Sequence, residues 1–217
     1  TGIGSAEDIN TTIGTLVATN STSGNIFIQE SNGLIIGGTG GQTLAGNGNI
    51  NVDVDAGALT VNSVVTANGS GTVTLNADAG AVTLAAVVSS TTGQIDVTGD
   101  SVAQNAGGDI STTAGAAINV TADNGAITMA DGTTTSTTTT GVITYSATGN
   151  VALSALSTGS GAINVTADSD ASTAGAITDN TAAEGANLTT TGTATLSAAT
   201  GIGSAEDINT TIGTLVA

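Results

Sequence analysis

Apolar and polar residues alternate along most of this chain in short runs that stop at glycine-rich segments. Ile50, Val52 and Val54 alternate with Asn51 and Asp53, and comparable runs recur at intervals of roughly 22 residues. A period of two residues predicts β-strands with one buried face. The run lengths and the lack of a helical period predict several short strands per interval and no βαβ units.

Several intervals contain a second and a third apolar run after the first. One interval continues with Leu59 and Val61 and then with Val64 and Val65, and the next interval repeats this order. Glycines separate the runs and would supply the corners between strands. Three short strands per coil, separated by glycine corners, predict an all-β parallel β-solenoid.

A much longer repeat is visible at the two ends of the sequence. Residues 1–18 return letter for letter as residues 200–217, an offset of 199 residues. Identical long segments at a fixed offset are typical of tandem arrays. We therefore expect residues 1–217 to be a single β-solenoid segment, in which residues 1–199 are one long repeat and residues 200–217 start the next copy. About nine coils of roughly 22 residues would fill the 199 residues, so we expect the long repeat to be a whole number of coils.

The corners and the irregular segments can be placed from the sequence. Thr133 to Thr140 form a low-complexity stretch that we expect to be a loop between Met129 and Gly141, with disorder as the alternative. Glu30 and Glu184 stand alone and are expected on the solvated surface. The coil starts are predicted at Gly24, Gly48, Gly71, Gly93, Ala116, Gly141, Gly161, Ala186 and Gly203.

The charge balance limits the partners of the chain. It has 17 acidic residues, no Lys, Arg or His, and a formal net charge of −17. Without cations it cannot attract nucleic acid phosphates or an anionic membrane surface, so neither is expected as a partner. No apolar run has the length of a membrane span, which excludes direct membrane insertion by a helix.

The same inventory argues against an enzyme. His, Lys, Arg and Cys are all missing, so carboxylates and hydroxyls are the only groups left for catalysis. A glycosidase could use two carboxylates, and a carbohydrate-binding or carbohydrate-cleaving β-helix stays open as an alternative. Only Phe27 and Tyr145 are aromatic, which disfavours a sugar groove. We predict no catalytic residues.

A column of acidic residues appears when the coils are aligned. The seventh residue after successive coil starts is acidic in five of six coils, namely Asp55, Asp78, Asp100, Asp123 and Asp168. An Asx-turn, in which each carboxylate accepts a hydrogen bond from its own corner, is the simpler explanation. Stacked carboxylates without a cation also suit calcium. The sequence requires no cofactor, and calcium is the candidate metal at these five residues.

Several phrases in the sequence resemble a known family. Gly-Asn-Ile, Gly-Ala-Ile-Thr and Ala-Ile-Asn-Val recur, and residues 198–205 read Ala-Ala-Thr-Gly-Ile-Gly-Ser-Ala. Together with the coil length they look like the giant β-strand-repeat exoproteins of bacteria, similar to filamentous haemagglutinin-type adhesin shafts. The resemblance implies a secreted, extracellular or cell-surface right-handed parallel β-helix that works as a structural segment of a filament or adhesin shaft.

The expected partners follow from the repeat and from this resemblance. Neighbouring copies of the repeat should stack end to end, and cell-surface glycans or other cells are candidate targets. A calcium-dependent surface-layer or matrix protein is the second alternative. The sequence does not identify the binding target or the number of repeats.

Overall fold

The chain folds into one winding sheet. The structure, a computed structural model, describes residues 2–4, 6–204 and 206–217. In these residues every regular element is a β-strand, and 25 strands pair in parallel to form a solenoid of about nine turns. The predicted all-β solenoid with about nine coils is confirmed.

Each coil has three faces, which we name A, B and C in the order in which the chain visits them. Three strands of one coil lie beside the equivalent strands of the coils before and after it. Face A contains β1 (Gly2–Ile3), β2 (Ile9–Thr11), β4 (Asn25–Glu30), β6 (Ile50–Val54), β9 (Val73–Ala77), β12 (Ile95–Gly99), β15 (Ile118–Ala122), β18 (Ile143–Ala147) and β21 (Ile163–Ala167).

Faces B and C are narrower. Face B contains β7 (Leu59–Val61), β10 (Val82–Leu84), β13 (Val102–Gln104), β16 (Ile127–Met129), β19 (Val151–Leu153), β22 (Ala176–Asp179) and β24 (Gly201–Ile202). Face C contains β8 (Val65–Ala67), β11 (Val88–Ser90), β14 (Ile110–Ser111), β17 (Thr134–Ser136) and β20 (Ala155–Ser157). Four strands turn a corner: β3 (Thr15–Asn20) and β5 (Leu34–Thr43) run from B to C, and β23 (Leu188–Ser197) and β25 (Thr210–Val216) run from C to A.

The alternating residues of face A produce a column of stacked apolar side chains. In β6 the inward residues Ile50, Val52 and Val54 are buried, and the two residues between them are partly exposed. Stacking like residues on like buries each side chain against the coils above and below, which no single coil could do. The first inward column of face A consists of Ile26, Ile50, Val73, Ile95, Ile118, Ile143 and Ile163.

Glycine predominates at the corner that precedes face A, with Ala116 as an exception, because the backbones of successive coils come into close contact there. A Cβ added to Gly161 would lie 1.8 Å from the carbonyl oxygen of Gly141, and one added to Gly71 would lie 2.2 Å from that of Gly48. The predicted starts from Gly48 to Gly161 lie at or directly before this corner. Ala186 and Gly203 do not, because the longer segment between β21 and β23 moves the last two corners to Gly192 and Gly213.

The predicted loop at Thr133 to Thr140 is wrong in its first half. Residues 134–136 form β17 on face C, and Thr133, Thr135 and Thr137 are buried. The interior accepts these threonines because their hydroxyls have partners, as in the bond from Thr137 Oγ1 to the carbonyl of Ala116 at 3.0 Å. A hydroxyl that bonds a corner carbonyl in this way recurs at Thr43, Ser90, Thr112, Thr158 and Thr190.

The two copies of the eighteen-residue sequence lie on different faces. In the first copy Leu16 pairs with Ile36 on face B. In the second copy Leu215, the same residue of the repeat, pairs with Ala194 on face A. In this chain the offset of 199 residues is therefore not a whole number of coils, which corrects that expectation.

Candidate functional site

The outer surface of face A is a regular array of polar side chains. Two outward residues of each strand form two columns, because parallel pairing in register places them over their equivalents in the next coil. Through the central coils the columns are Asn51, Thr74, Asp96, Asn119, Thr144 and Asn164, and Asp53, Asn76, Thr98, Thr121, Ser146 and Thr166. This surface offers hydroxyls, amides and carboxylates, and Phe27 is the aromatic residue at its N-terminal edge.

Three carboxylates meet where face A turns into face B. One oxygen from each of Asp53, Asp55 and Asp78 lies within 4.8 Å of the others, and Asp55 and Asp78 are exposed. Two of the five aspartates in the predicted acidic column, Asp55 and Asp78, are thus brought together. Asp53 is a third member of this cluster, and the alignment of the coils did not include it. The spacing is one that a hard cation with oxygen ligands could bridge.

Side-chain amides lie between these carboxylates. Asn76 Nδ2 donates to Asp53 Oδ1 at 2.8 Å and to Asp78 Oδ1 at 2.5 Å. Gln29 Nε2 donates to Asp55 Oδ1 at 2.6 Å. Asn76 places the positive end of its amide dipole between Asp53 and Asp78, which lowers their repulsion in a chain that has no Lys or Arg, and Gln29 does the same for the charge of Asp55 alone.

The expected Asx-turns are not what these carboxylates form. Asp55 and Asp78 accept hydrogen bonds from residues on face A, and Asp123 has no side-chain hydrogen bond within the described chain. Asp100 Oδ1 accepts from Asn124 Nδ2 of the next coil at 2.6 Å. Three of the five aligned carboxylates, Asp55, Asp78 and Asp100, are therefore bonded by side-chain amides and do not cap their own corners.

Asp168 has a separate structural role. Its backbone is left-handed, with φ of 73°, and Oδ1 accepts from Ser172 Oγ at 2.9 Å and from the Thr173 amide at 3.1 Å. Slight desolvation acts to raise the pKa of Asp168, but the hydrogen bonds from Ser172 and its neighbours outweigh it and hold this pKa below its usual value. Asp168 organises the loop after β21.

Asp179 is a carboxylate that sequence reasoning missed. Asn187 Nδ2 donates to Asp179 Oδ1 at 2.7 Å and to the carbonyl of Ser154 at 3.0 Å, and Asn187 is fully buried. Desolvation acts to raise the pKa of Asp179, but the bonds from Asn187 and Thr181 outweigh it, and the pKa is lowered overall. These contacts fix the long segment between β21 and β23, and no repeat signal in the sequence indicated them.

Glu30 is not on the solvated surface, which corrects its predicted position. Its side chain is 0% exposed and points inward from the end of β4, where the next coil has Val54. Thr11 Oγ1 donates to Glu30 Oε2 at 2.6 Å, and the amide of Ile13 donates at 2.9 Å. These two partners both belong to the eighteen-residue sequence. Glu184, in contrast, is exposed and accepts from Asn209 Nδ2 at 2.8 Å.

The C-terminal end of the solenoid is open. β25 pairs with β23 along one edge, and Leu215 and Val216 are 53% and 52% exposed. A cavity of about 480 Å³ at this end is lined by Leu196, Ile202 and Ile208, among others. At the opposite end Ile9, Ile13 and Val17 are also exposed. Apolar side chains and an unpaired strand edge together form a surface that another coil could cover.

Comparisons with known proteins do not indicate a function for this chain. No protein-family model, no curated protein and no solved structure matches the chain. Among the described residues no helix is long and apolar enough to cross a membrane. The β-solenoid is thus shown by the structure itself, and no matched family supports the resemblance to haemagglutinin-type shafts.

Proposed function

We propose that this chain is a structural repeat of an extracellular or cell-surface fibre, of the adhesin-shaft kind that its phrases resemble, and that copies of the repeat stack end to end. The observation that carries the proposal is the pair of solenoid ends. Both expose apolar side chains and strand edges, and both are built from the same eighteen residues. Repeat proteins need polar terminal coils to stay separate, and among the described residues apolar side chains are exposed at both ends.

The position of the aromatic residues supports this role over sugar binding. Tyr145 is fully buried inside the solenoid, and Phe27 is alone on the outer surface of face A. Stacking against a sugar ring needs accessible aromatic faces, and a groove with one such residue is a poor carbohydrate site. Glycans of a cell surface would then be targets of other parts of a fibre.

A calcium-dependent surface-layer or matrix protein is the second candidate, and the acidic trio of Asp53, Asp55 and Asp78 favours it. Calcium binding at this site would be compatible with a fibre, because the trio lies on the side of the solenoid and leaves both ends open. Calcium would stiffen such a fibre by bridging carboxylates of neighbouring coils.

Stacking can be tested with the purified 217-residue chain. Nine coils at roughly 4.8 Å each predict filaments with an axial repeat of about 43 Å in electron micrographs. Leu215→Asp should abolish them, because it places a charge in the contact between copies. Ser146→Asp, which adds the same charge to the side of face A, is the matched control and should still assemble.

The stability of the separate chain distinguishes a stacking defect from a folding defect. Leu215 is half-exposed in the separate chain, so Leu215→Asp should leave its urea unfolding midpoint close to that of the unmodified protein. A chain that stays monomeric at all protein and salt concentrations would show that the ends do not stack.

A further inference from the structure

The eighteen-residue sequence adopts two registers in one chain. In the N-terminal register, Ile9–Thr11 lie on face A beside β4, and Leu16 lies on face B. In the C-terminal register, the equivalent of Thr11 is Thr210 on face C, and the equivalent of Leu16 is Leu215 on face A. The sequences are identical, so the neighbouring coil decides the register.

The two registers exclude each other at an internal junction of an array. There the sequence has a coil on both sides, whereas each copy in this chain shows the register set by one neighbour. The same leucine cannot lie on face A and on face B. If the C-terminal register persisted, the next repeat would be rotated by one face, and its columns would not continue those of the repeat before it.

Glu30 distinguishes the registers. Its buried carboxylate accepts hydrogen bonds from Thr11 Oγ1, from the Ile13 amide and, at 3.3 Å, from the Asn32 amide. In the C-terminal register the equivalents of Thr11 and Ile13 lie in the first half of β25 on face C, where they pair with β23, and they cannot reach a carboxylate on face A. The next repeat would then hold a buried charge with one donor left and no cation in the chain, which is strongly unfavourable.

The apolar contacts favour the same outcome. Leu16 is 7% exposed in the N-terminal register, whereas its equivalent Leu215 is 53% exposed in the C-terminal register. The valine that follows, Val17 or Val216, is about half-exposed in both registers. Exchanging the C-terminal for the N-terminal register therefore gives up little burial. The N-terminal register also provides every donor that Glu30 requires.

We propose that Glu30 is the residue that determines the register of the stacking surface. At each internal junction it selects the N-terminal register, so that the first coil aligns with the repeat that follows it and successive repeats keep their faces in line. This inference rests on the proposed end-to-end stacking. Its partner is the copy of the eighteen-residue sequence that precedes Glu30 in the array.

Engineered cysteine pairs can report the register, because the chain has no cysteine. Thr195 and Val216 are directly paired in the C-terminal register, and adjacent strands are close enough for a disulfide. The reporter is therefore Thr195→Cys with Val216→Cys. The control is Thr121→Cys with Ser146→Cys. These two residues point outward and are paired in the central coils, so they should cross-link in every chain.

The reporter is compared in two proteins. One is the 217-residue chain, and the other is a tandem chain in which residues 19–199 follow Ala217 once more and make residues 200–217 an internal junction. We expect the reporter to cross-link in the single chain and to fall at least about tenfold in the tandem chain, a difference of about 1.4 kcal/mol. Glu30→Val at the equivalent position of the second repeat, which copies Val54 of the next coil, should restore cross-linking.

The outcomes separate the two proposals. Equal cross-linking of the reporter in the single and tandem chains, or no restoration by Glu30→Val, overturns the role of Glu30. Small-angle scattering of the tandem chain tests stacking itself, because a continuous rod should be about twice as long as the single chain. Two independent rods joined by a mobile linker would overturn the stacking and, with it, the register proposal.

Discussion

Tyr145 donates a hydrogen bond to Gln104 Oε1 in the interior of the solenoid, across 41 residues of sequence. Thr135 lies between the coils of these two residues and bonds the Tyr145 hydroxyl at 2.7 Å. Gln104 Nε2 donates to Thr135 Oγ1 at 3.1 Å and to the carbonyl of Gly108 at 2.9 Å. One network thus joins three successive coils, and its polar groups are all satisfied.

Removing the Tyr145 hydroxyl should destabilise the chain. Tyr145→Phe keeps the ring but leaves Gln104 Oε1 with only the long bond from Thr135, at 3.4 Å. We expect a loss of about 1–3 kcal/mol in the free energy of unfolding, measured with urea. Phe27→Leu, which changes an aromatic residue on the outer surface, is the comparison. An unchanged free energy for Tyr145→Phe would mean that the network adds no stability.

The same tyrosine predicts an alkaline limit of stability. Burial raises the pKa of Tyr145 above its ordinary value of about 10, although the bond from Thr135 acts in the opposite direction. The unfolded chain then loses this proton at lower pH than the folded chain, so stability is full below about pH 10 and falls as the pH rises above it. Lys, Arg and Cys are absent, so Tyr145→Phe should remove this dependence. A fall that persists in the variant would exclude Tyr145 as its source.

The strand register of face A can be tested with charged substitutions. Val120 and Val165 are buried in the core, so Val120→Asp or Val165→Asp should cost several kcal/mol. Asn164→Ala on the outer surface should cost little. Asn119→Ala should cost slightly more than Asn164→Ala, because Asn119 donates to Asp96 Oδ1 at 2.8 Å. Urea unfolding measures the free energy of each variant. Equal losses of stability for the inward and outward variants would contradict this register.

The glycine corner predicts a strong contrast between two identical substitutions. Gly161→Ala would bring a methyl group to 1.8 Å from the Gly141 carbonyl oxygen, so the backbones of two coils must separate. We expect a loss of about 3 kcal/mol or more. Gly185→Ala, whose nearest contact is at 3.8 Å, should change stability by less than about 0.5 kcal/mol. Thermal denaturation of both variants gives the comparison.

Calcium is expected to bind at the acidic trio with the weak, millimolar affinity of extracellular sites. It should raise the thermal midpoint of the chain, and a chelator should reverse the rise. Asp55→Asn with Asp78→Asn should remove the effect, whereas Asp168→Asn, outside the trio, should keep it. An unchanged midpoint together with no calcium uptake in equilibrium dialysis would leave these carboxylates with their amide partners only.

Local pattern along the chain was enough to establish a solenoid. Alternation fixed which residues of the central coils point inward, because a strand with a period of two can bury only one set of side chains. Glycines at regular intervals marked the corners from Gly48 to Gly161. Two members of the trio, Asp55 and Asp78, could be found because stacked coils convert equal spacing in sequence into proximity in space.

Features that depend on a neighbouring coil could be found only in the folded chain. The threonines of β17 have the composition of a polar loop, and only the carbonyls and side chains of adjacent coils show that their hydroxyls can be buried. Glu30 stands at an inward position of the alternation that runs through Ile26 and Ile28, but its charge is typical of a surface residue. Its burial depends on the donors Thr11 and Ile13, which belong to a preceding coil whose register local pattern does not fix. For the same reason one eighteen-residue sequence lies on different faces at the two ends: a strand edge in a solenoid takes its register from the coil against which it packs.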